Sequence, residues 1–276
     1  MKTENCSANR ADAKRLKVLA VGNSFSVDAM QHLYLVAKDA GIEEILLGNL
    51  YIGGCSLDTH NANMVDDLGK YTFYVSSEEA GGMVVEGENR TAKYGITYAD
   101  WDYITVQQAS NQSGLPEKYS KLNDVIEYIT ANETSNAKLL WHETWAYQSD
   151  SAHPGFANYG NSQENMYRAI VNTITKVISP NDALCGIIPS GTAIQNLRTT
   201  ALGDNLTRDG FHLSLGIGRY TAALTWLAAI TGVDVSSVSA VPEAYPEVLE
   251  WLDDIKCAVK CAIERPLDIT EISPAK

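Results

Sequence analysis

Short apolar runs alternate along this chain with longer segments whose apolar positions recur every three or four residues. Residues 17–21 (KVLAV) form a β-branched apolar run that stops at Gly22, and from Val27 to Ala40 the positions Met30, Leu33, Tyr34, Val36 and Ala37 fall on one helical face. The pattern predicts strand, tight loop and helix, with Gly41 closing the helix as a C-cap and 44–52 (EILLGNLYI) as the next strand. It returns further on, with strands at 102–107, 137–142 and 184–188 and helices at 117–131, 162–178, 215–231 and 242–264. Parallel strands need crossover connections, so the alternation predicts a parallel central sheet with helices on both faces: a doubly wound, three-layer α/β/α fold.

Two stretches interrupt the alternation. Residues 71–99 carry YTFYVSS, a Gly81-Gly82 break, MVVEGENR and TAKYGITY, which reads as a hairpin-like insertion, either a surface excursion or a flap over substrate. Residues 143–161, rich in Tyr, Ser, Pro, Gly and Asn, read as a long loop following a parallel strand, a position that borders active sites. Residues 1–15 read as a disordered tail, and the whole of 1–276 as one domain, with 242–264 a terminal helix packed outside.

Composition narrows the function classes. Hydrophobic residues at 45% and charged residues at 20% are the balance of a globular chain rather than a disordered one. With 34 acidic against 21 basic side chains the net charge is -13, a field that repels phosphate backbones and anionic headgroups, so nucleic acid is not an expected partner. No run approaches the ~18 to 20 apolar residues that span a bilayer, so no membrane insertion is expected. The N-terminus lacks the apolar segment of a secretory signal, which reads as cytoplasmic as written, although a leader already removed would leave the same sequence. Five cysteines, an odd number without CxxC spacing, indicate neither a disulfide framework nor a structural zinc site. Cys55 reads as a small buried residue.

Ligands of open parallel sheets bind beyond the carboxyl ends of the strands, so the polar residues following each predicted strand carry the candidate chemistry. They are Gly22, Asn23, Ser24, Phe25 and Ser26; Gly53, Gly54, Cys55 and Ser56; Gln108, Ala109, Ser110 and Asn111; and, late in the chain, Asp209, Gly210, Phe211, His212 and Leu213. A serine in a glycine-flanked turn at a helix start is accessible, and the turn favours negative charge on an attacked carbonyl oxygen. Capping the helix is its alternative role. Serine also needs a base, usually a histidine oriented by a carboxylate, and Asp209 and His212 lie three residues apart, close enough for the carboxylate to reach Nδ1 while Nε2 faces Ser24.

Four blocks in order, GNSFS at 22–26, IGGCS at 52–56, VQQAS at 106–110 and DGFHLS at 209–214, resemble those of the SGNH or GDSL hydrolases, a branch of serine esterases and lipases. The resemblance implies a flavodoxin-like fold, Ser24 as nucleophile, His212 as general base and acid, and Asp209 as orienter. It also implies an oxyanion hole of the Ser24 and Gly54 N–H groups with the side-chain amide of Gln108, and no metal or organic cofactor. Asn23 replaces the usual Asp of the first block and Gln108 the usual Asn of the third. A Gln there resembles carbohydrate acetylesterases of the superfamily, which points to an O-acetylated saccharide as substrate.

Trp145, near the end of the 137–142 strand, is a candidate platform for a sugar face, with Asn23 a second candidate substrate contact; Trp145 reads equally as a loop anchor. His142, Glu143 and His153 lack the helical spacing of a zinc hydrolase. A lipase or thioesterase is the variant within the same chemistry, and a catalytically silent carbohydrate-binding protein the reading from another class.

Overall fold

The computed structural model describes residues 14–80 and 82–273. The tail expected over 1–15 therefore lies outside the described residues up to residue 13, while Arg15 already opens the first strand.

Seven strands form one sheet: β1 (Arg15–Gly22), β2 (Glu44–Tyr51), β3 (Tyr71–Ser76), β4 (Val84–Arg90), β5 (Tyr103–Val106), β6 (Lys138–His142) and β7 (Gly186–Ile188). Their order is β4-β3-β2-β1-β5-β6-β7, with β2, β1, β5, β6 and β7 mutually parallel. The parallel strands are almost wholly apolar, as strands covered on both faces must be; Leu16, Val18, Leu19, Leu47, Leu50 and Ile104 have no exposure. The helices are α1 (Ser24–Met30), α2 (Leu33–Asp39), α3 (Leu57–Val65), α4 (Ala92–Ile96), α5 (Leu122–Asn132), α6 (Gln163–Thr173), α7 (Ser190–Leu197), α8 (Ile217–Thr231) and α9 (Leu252–Glu264). Helix α8 is buried on nearly every side among α1, α2, α7 and α9, whereas α3, α4 and α5 contact one another. The result is the three-layer α/β/α arrangement that the alternation predicts, with the flavodoxin-like strand order that the resemblance implies.

The chain leaves β1 for β2 on one side and later enters β5 on the other. That reversal opens a crevice beyond the carboxyl end of β1, between the loops that follow β2 and β5. Gly22, at the end of β1, meets the next helix so closely that a Cβ there would lie 2.4 Å from Ser26 Oγ.

The 71–99 segment adds β3 and β4 to the sheet as antiparallel strands beside β2, followed by α4. The helix expected over 27–40 is two helices, beginning earlier at Ser24 and broken at Gln31 and His32. The terminal helix begins at Leu252, after a 3₁₀ turn over Pro246–Trp251. No helix among the described residues is long and apolar enough to cross a membrane. Cys55, Cys257 and Cys261 are free thiols.

Candidate active site

Ser24 is the first residue of α1. The residue capping that helix is Asn23, whose Oδ1 accepts the Phe25 N–H at 3.0 Å, so the Ser24 hydroxyl is left for another partner. That partner is His212, with Nε2 2.9 Å from Ser24 Oγ. On the far edge of the ring, Nδ1 lies 2.6 Å from Asp209 Oδ2, while Asp209 Oδ1 accepts the backbone N–H groups of His212 (2.8 Å) and Phe211 (3.2 Å). An imidazole that donates from Nδ1 to a carboxylate presents a lone pair at Nε2, the state that can take a serine proton. Burial pushes the Asp209 carboxyl up, but its bonds to the His212 ring and to the two backbone N–H groups outweigh this and hold it below the ordinary range.

Gly54 faces this pair from the loop after β2. Its φ of +62° is a left-handed conformation that a glycine adopts without steric cost. The backbone N–H groups of Gly54 and Ser24 make no hydrogen bond with the described residues; at Ser24 this follows from its place in the first turn. The residues enclose a cavity of about 240 Å³, lined among others by Ser24, Gly54, Ser110, Asn111, His153 and Phe211. A larger cleft, about 690 Å³, lies at the opposite ends of β1, β5 and β6, where Arg15 and Asp102 bond to each other and no serine–histidine pair is present.

Two sequence-derived candidates, Gln108 and Trp145, require correction, and a third, Asn23, is tied into the surrounding loops. Gln108 is fully buried and does not line the cavity: Oε1 accepts the N–H groups of Leu57 (3.0 Å) and Ala109 (2.8 Å), and Nε2 donates one of its two N–H groups to the Lys118 carbonyl (2.7 Å). It braces the loops after β2 and β5, away from the position of an oxyanion. Trp145 has no exposure; it stacks on Phe25 at 4.2 Å and donates its indole N–H to the Phe211 carbonyl, so it anchors the loop and offers no sugar platform. Asn23 borders the cavity, but its amide is committed, accepting from Phe25 N–H and Gln107 Nε2 (2.8 Å) and donating to the Cys55 carbonyl (3.0 Å). It ties the Ser24 turn to the Gly54 loop.

A family model described as a domain of unknown function, DUF4886, matches residues 17–248. The chain belongs to the DUF4886 family. A solved DUF4886 structure from Bacteroides uniformis is 38% identical, with 94% of this chain and 98% of that chain covered and a TM-score of 0.87. More distant likenesses include TesA, at 14% identity, 78% and 98% coverage and a TM-score of 0.47. An acetylxylan esterase from Geobacillus stearothermophilus stands at 11%, 82% and 97%, and 0.48. No curated protein matches the chain.

Sequence reasoning missed the supports of the site in this DUF4886 protein. Asp28, buried on α1, accepts from Arg208 (3.1 Å), from Arg219 (2.7 and 2.9 Å) and from the Leu213 backbone N–H (2.8 Å), clamping the loop that carries Asp209 and His212 onto the helix that carries Ser24. Behind Asn23, Gln107 Oε1 meets His142 Nδ1 at 2.8 Å, and His142 Nε2 meets Ser190 Oγ at 3.1 Å. Asn23 Oδ1 is already the acceptor of a backbone N–H, so Gln107 must present its NH₂ to it and its oxygen to His142, which therefore carries its proton on Nδ1. Burial lowers His142 to about 3, and the ring stays neutral. Of the three residues weighed as a loose metal set, His142 and Glu143 thus lie in the core, and only His153 reaches the cavity.

Proposed function

We propose that this DUF4886 protein is a serine esterase that removes short acyl groups, acetyl above all, from hydroxylated substrates of the carbohydrate class. The observation that carries the reading is the continuous line from Asp209 Oδ2 through the His212 ring to Ser24 Oγ, 2.6 and 2.9 Å, opening on a cavity flanked by N–H groups that make no hydrogen bond to the described residues.

Ser24 Oγ attacks the acyl carbon as its proton passes to His212 Nε2. The tetrahedral oxyanion is received by the N–H groups of Ser24 and Gly54. Asn111, which lines the cavity with a side-chain amide that makes no hydrogen bond to the described residues, is the third donor in place of Gln108. The bond to the alcohol oxygen breaks, the alcohol leaves with the proton from His212, and an acyl-Ser24 remains. A water gives a proton to His212 and attacks the acyl carbon; the acid departs and Ser24 regains its proton. Asp209 stays ionised throughout and stabilises the imidazolium.

The cavity, at about 240 Å³, falls below the ~300–1,000 Å³ of pockets that hold drug-sized ligands, which favours a short acyl group. Its lining by Tyr51, Ser110, Asn111 and His153 favours a hydroxylated alcohol over an alkyl chain.

Ser24→Ala and His212→Ala are each expected to lower p-nitrophenyl acetate turnover by about 10⁴-fold or more with an unchanged circular dichroism spectrum. Parent-level turnover by Ser24→Ala would remove the mechanism. Rates that hold level from p-nitrophenyl acetate to the octanoate would remove the short-acyl preference, and screening acetylated oligosaccharides for released acetate tests the alcohol side.

A further inference from the structure

His153 is the second histidine of the cavity, and the mechanism above does not use it. It precedes the 3₁₀ turn Pro154–Tyr159 and caps it, with Nδ1 accepting the Gly155 backbone N–H at 3.0 Å. An acceptor at Nδ1 leaves a neutral ring only one tautomer, with the proton on Nε2. Burial and the neighbouring His212 both disfavour a charge on this ring, so the neutral tautomer is the one that persists.

The ring is also fixed in orientation, held edge-on to Phe211 at 4.8 Å and against Tyr147 at 4.9 Å between ring centres. Its Nε2 has no hydrogen-bond partner among the described residues. Beside it Ser110 lines the cavity, its Oγ 2.8 Å from the OH of Tyr147, which is buried behind, so this side of the cavity carries polar groups on a rigid aromatic backing.

Resting on the esterase reading, we propose that His153 is a specificity-determining residue that donates its Nε2–H to an acceptor oxygen, a hydroxyl or ring oxygen, on the alcohol half of the ester. It does not serve as a second base, because the nitrogen that would take a proton already carries one and the other is engaged by Gly155. An alkyl or fatty alcohol has no oxygen to offer this donor beyond the ester itself. A polyhydroxylated alcohol has several, and a donor of fixed position selects for it without the ordering that a flexible side chain would require.

The test compares an acetylated methyl xyloside with propyl acetate, in the parent protein and in His153→Asn. An asparagine can keep an oxygen near the Nδ1 position for the Gly155 N–H while removing the donor at Nε2. The expected result is a three- to tenfold fall in the ratio of kcat/KM for the xyloside to that for propyl acetate, carried by KM, as one lost neutral hydrogen bond of ~0.5–1.5 kcal/mol implies. Equal losses on both substrates would mark a structural role and overturn the proposal, as would an unchanged ratio. A calorimetric titration of the acetylated xyloside into Ser24→Ala, with and without His153→Asn, reads the same contact without turnover. If the parent protein proves inert on every ester, a three- to tenfold weaker Kd in the double variant still supports the donor, and an equal Kd overturns it.

Discussion

Glu143 follows β6 into the core, where it has no exposure and forms no ion pair with the described residues. Its Oε2 accepts the Thr192 N–H at 3.0 Å, and Oε1 lies 3.2 Å from Thr192 Oγ1, whose own proton goes to the Pro266 carbonyl at 2.7 Å. Burial pushes the carboxyl up to about 8 from an ordinary 4.5, more than the Thr192 bonds pull it down, so near neutrality Glu143 holds a proton and can donate it to Thr192. Between those two values the folded chain keeps a proton that the unfolded chain has released, so this residue's contribution to stability falls as pH rises through the window and is level above it. Glu143→Gln, whose amide can donate in the same place, is expected to flatten that slope, each unit of pKa difference being worth ~1.4 kcal/mol. Urea unfolding of parent and variant at pH 5, 6.5 and 8 checks this, and parallel curves would contradict it. Asn23 makes a second residue-scale prediction. Asp in its place would set a carboxylate oxygen against the Cys55 carbonyl where an N–H now donates, so Asn23→Asp is expected to cost about 1–3 kcal/mol in thermal or urea unfolding and to slow turnover. Most side chains that line the cavity were legible as polar residues after strands, but the orientations of their neighbours were not. Gln108 and Trp145 turned inward because the Leu57 N–H, the Lys118 carbonyl and the Phe25 ring were waiting for them from other parts of the chain.

Among the elements, the pairing of α1 with the Arg208–Leu213 loop decides whether the site exists. Removing the Asp28 carboxylate leaves Arg208 and the more deeply placed Arg219 without their anion and the Leu213 N–H without its acceptor. Asp28→Ala is expected to destabilise the fold by about 3–5 kcal/mol, measurable as a lowered urea midpoint, with a further loss of turnover in the fraction that stays folded. The elements read correctly from sequence are those with a clear apolar stripe or run. Helices α3, α4 and α7 were not read from the sequence. Two of them bury polar side chains, His60 and Asn63 on α3 and Ser190, Thr192 and Asn196 on α7, some of which bond to distant residues, such as His60 to Tyr71 OH and Asn196 to the Ala258 carbonyl. In α3 these positions leave no apolar stripe, whereas α4 and α7, at five and eight residues, are short windows for a pattern search. The break at His32 was hidden for the opposite reason, since Met30 and Leu33 are both buried and continue the stripe across it.

At the scale of the molecule, the alternation of strand and helix was enough to predict a doubly wound sheet, because each parallel strand demands a crossover and the crossovers must cover both faces. The antiparallel edge, β3 and β4, was legible as a hairpin, but its attachment beside β2 was not, since pairing partners are chosen by register and packing rather than by local sequence. The fold also sets an order of events during synthesis. Ser24 leaves the ribosome early, whereas His212 lies 188 residues later, and Arg219, which bonds to Asp28 beneath that histidine's loop, belongs to the buried helix α8. On the esterase reading, the hydroxyl therefore gains its reactivity only once α8 docks, and a copy cut short before that helix is expected to be chemically quiet.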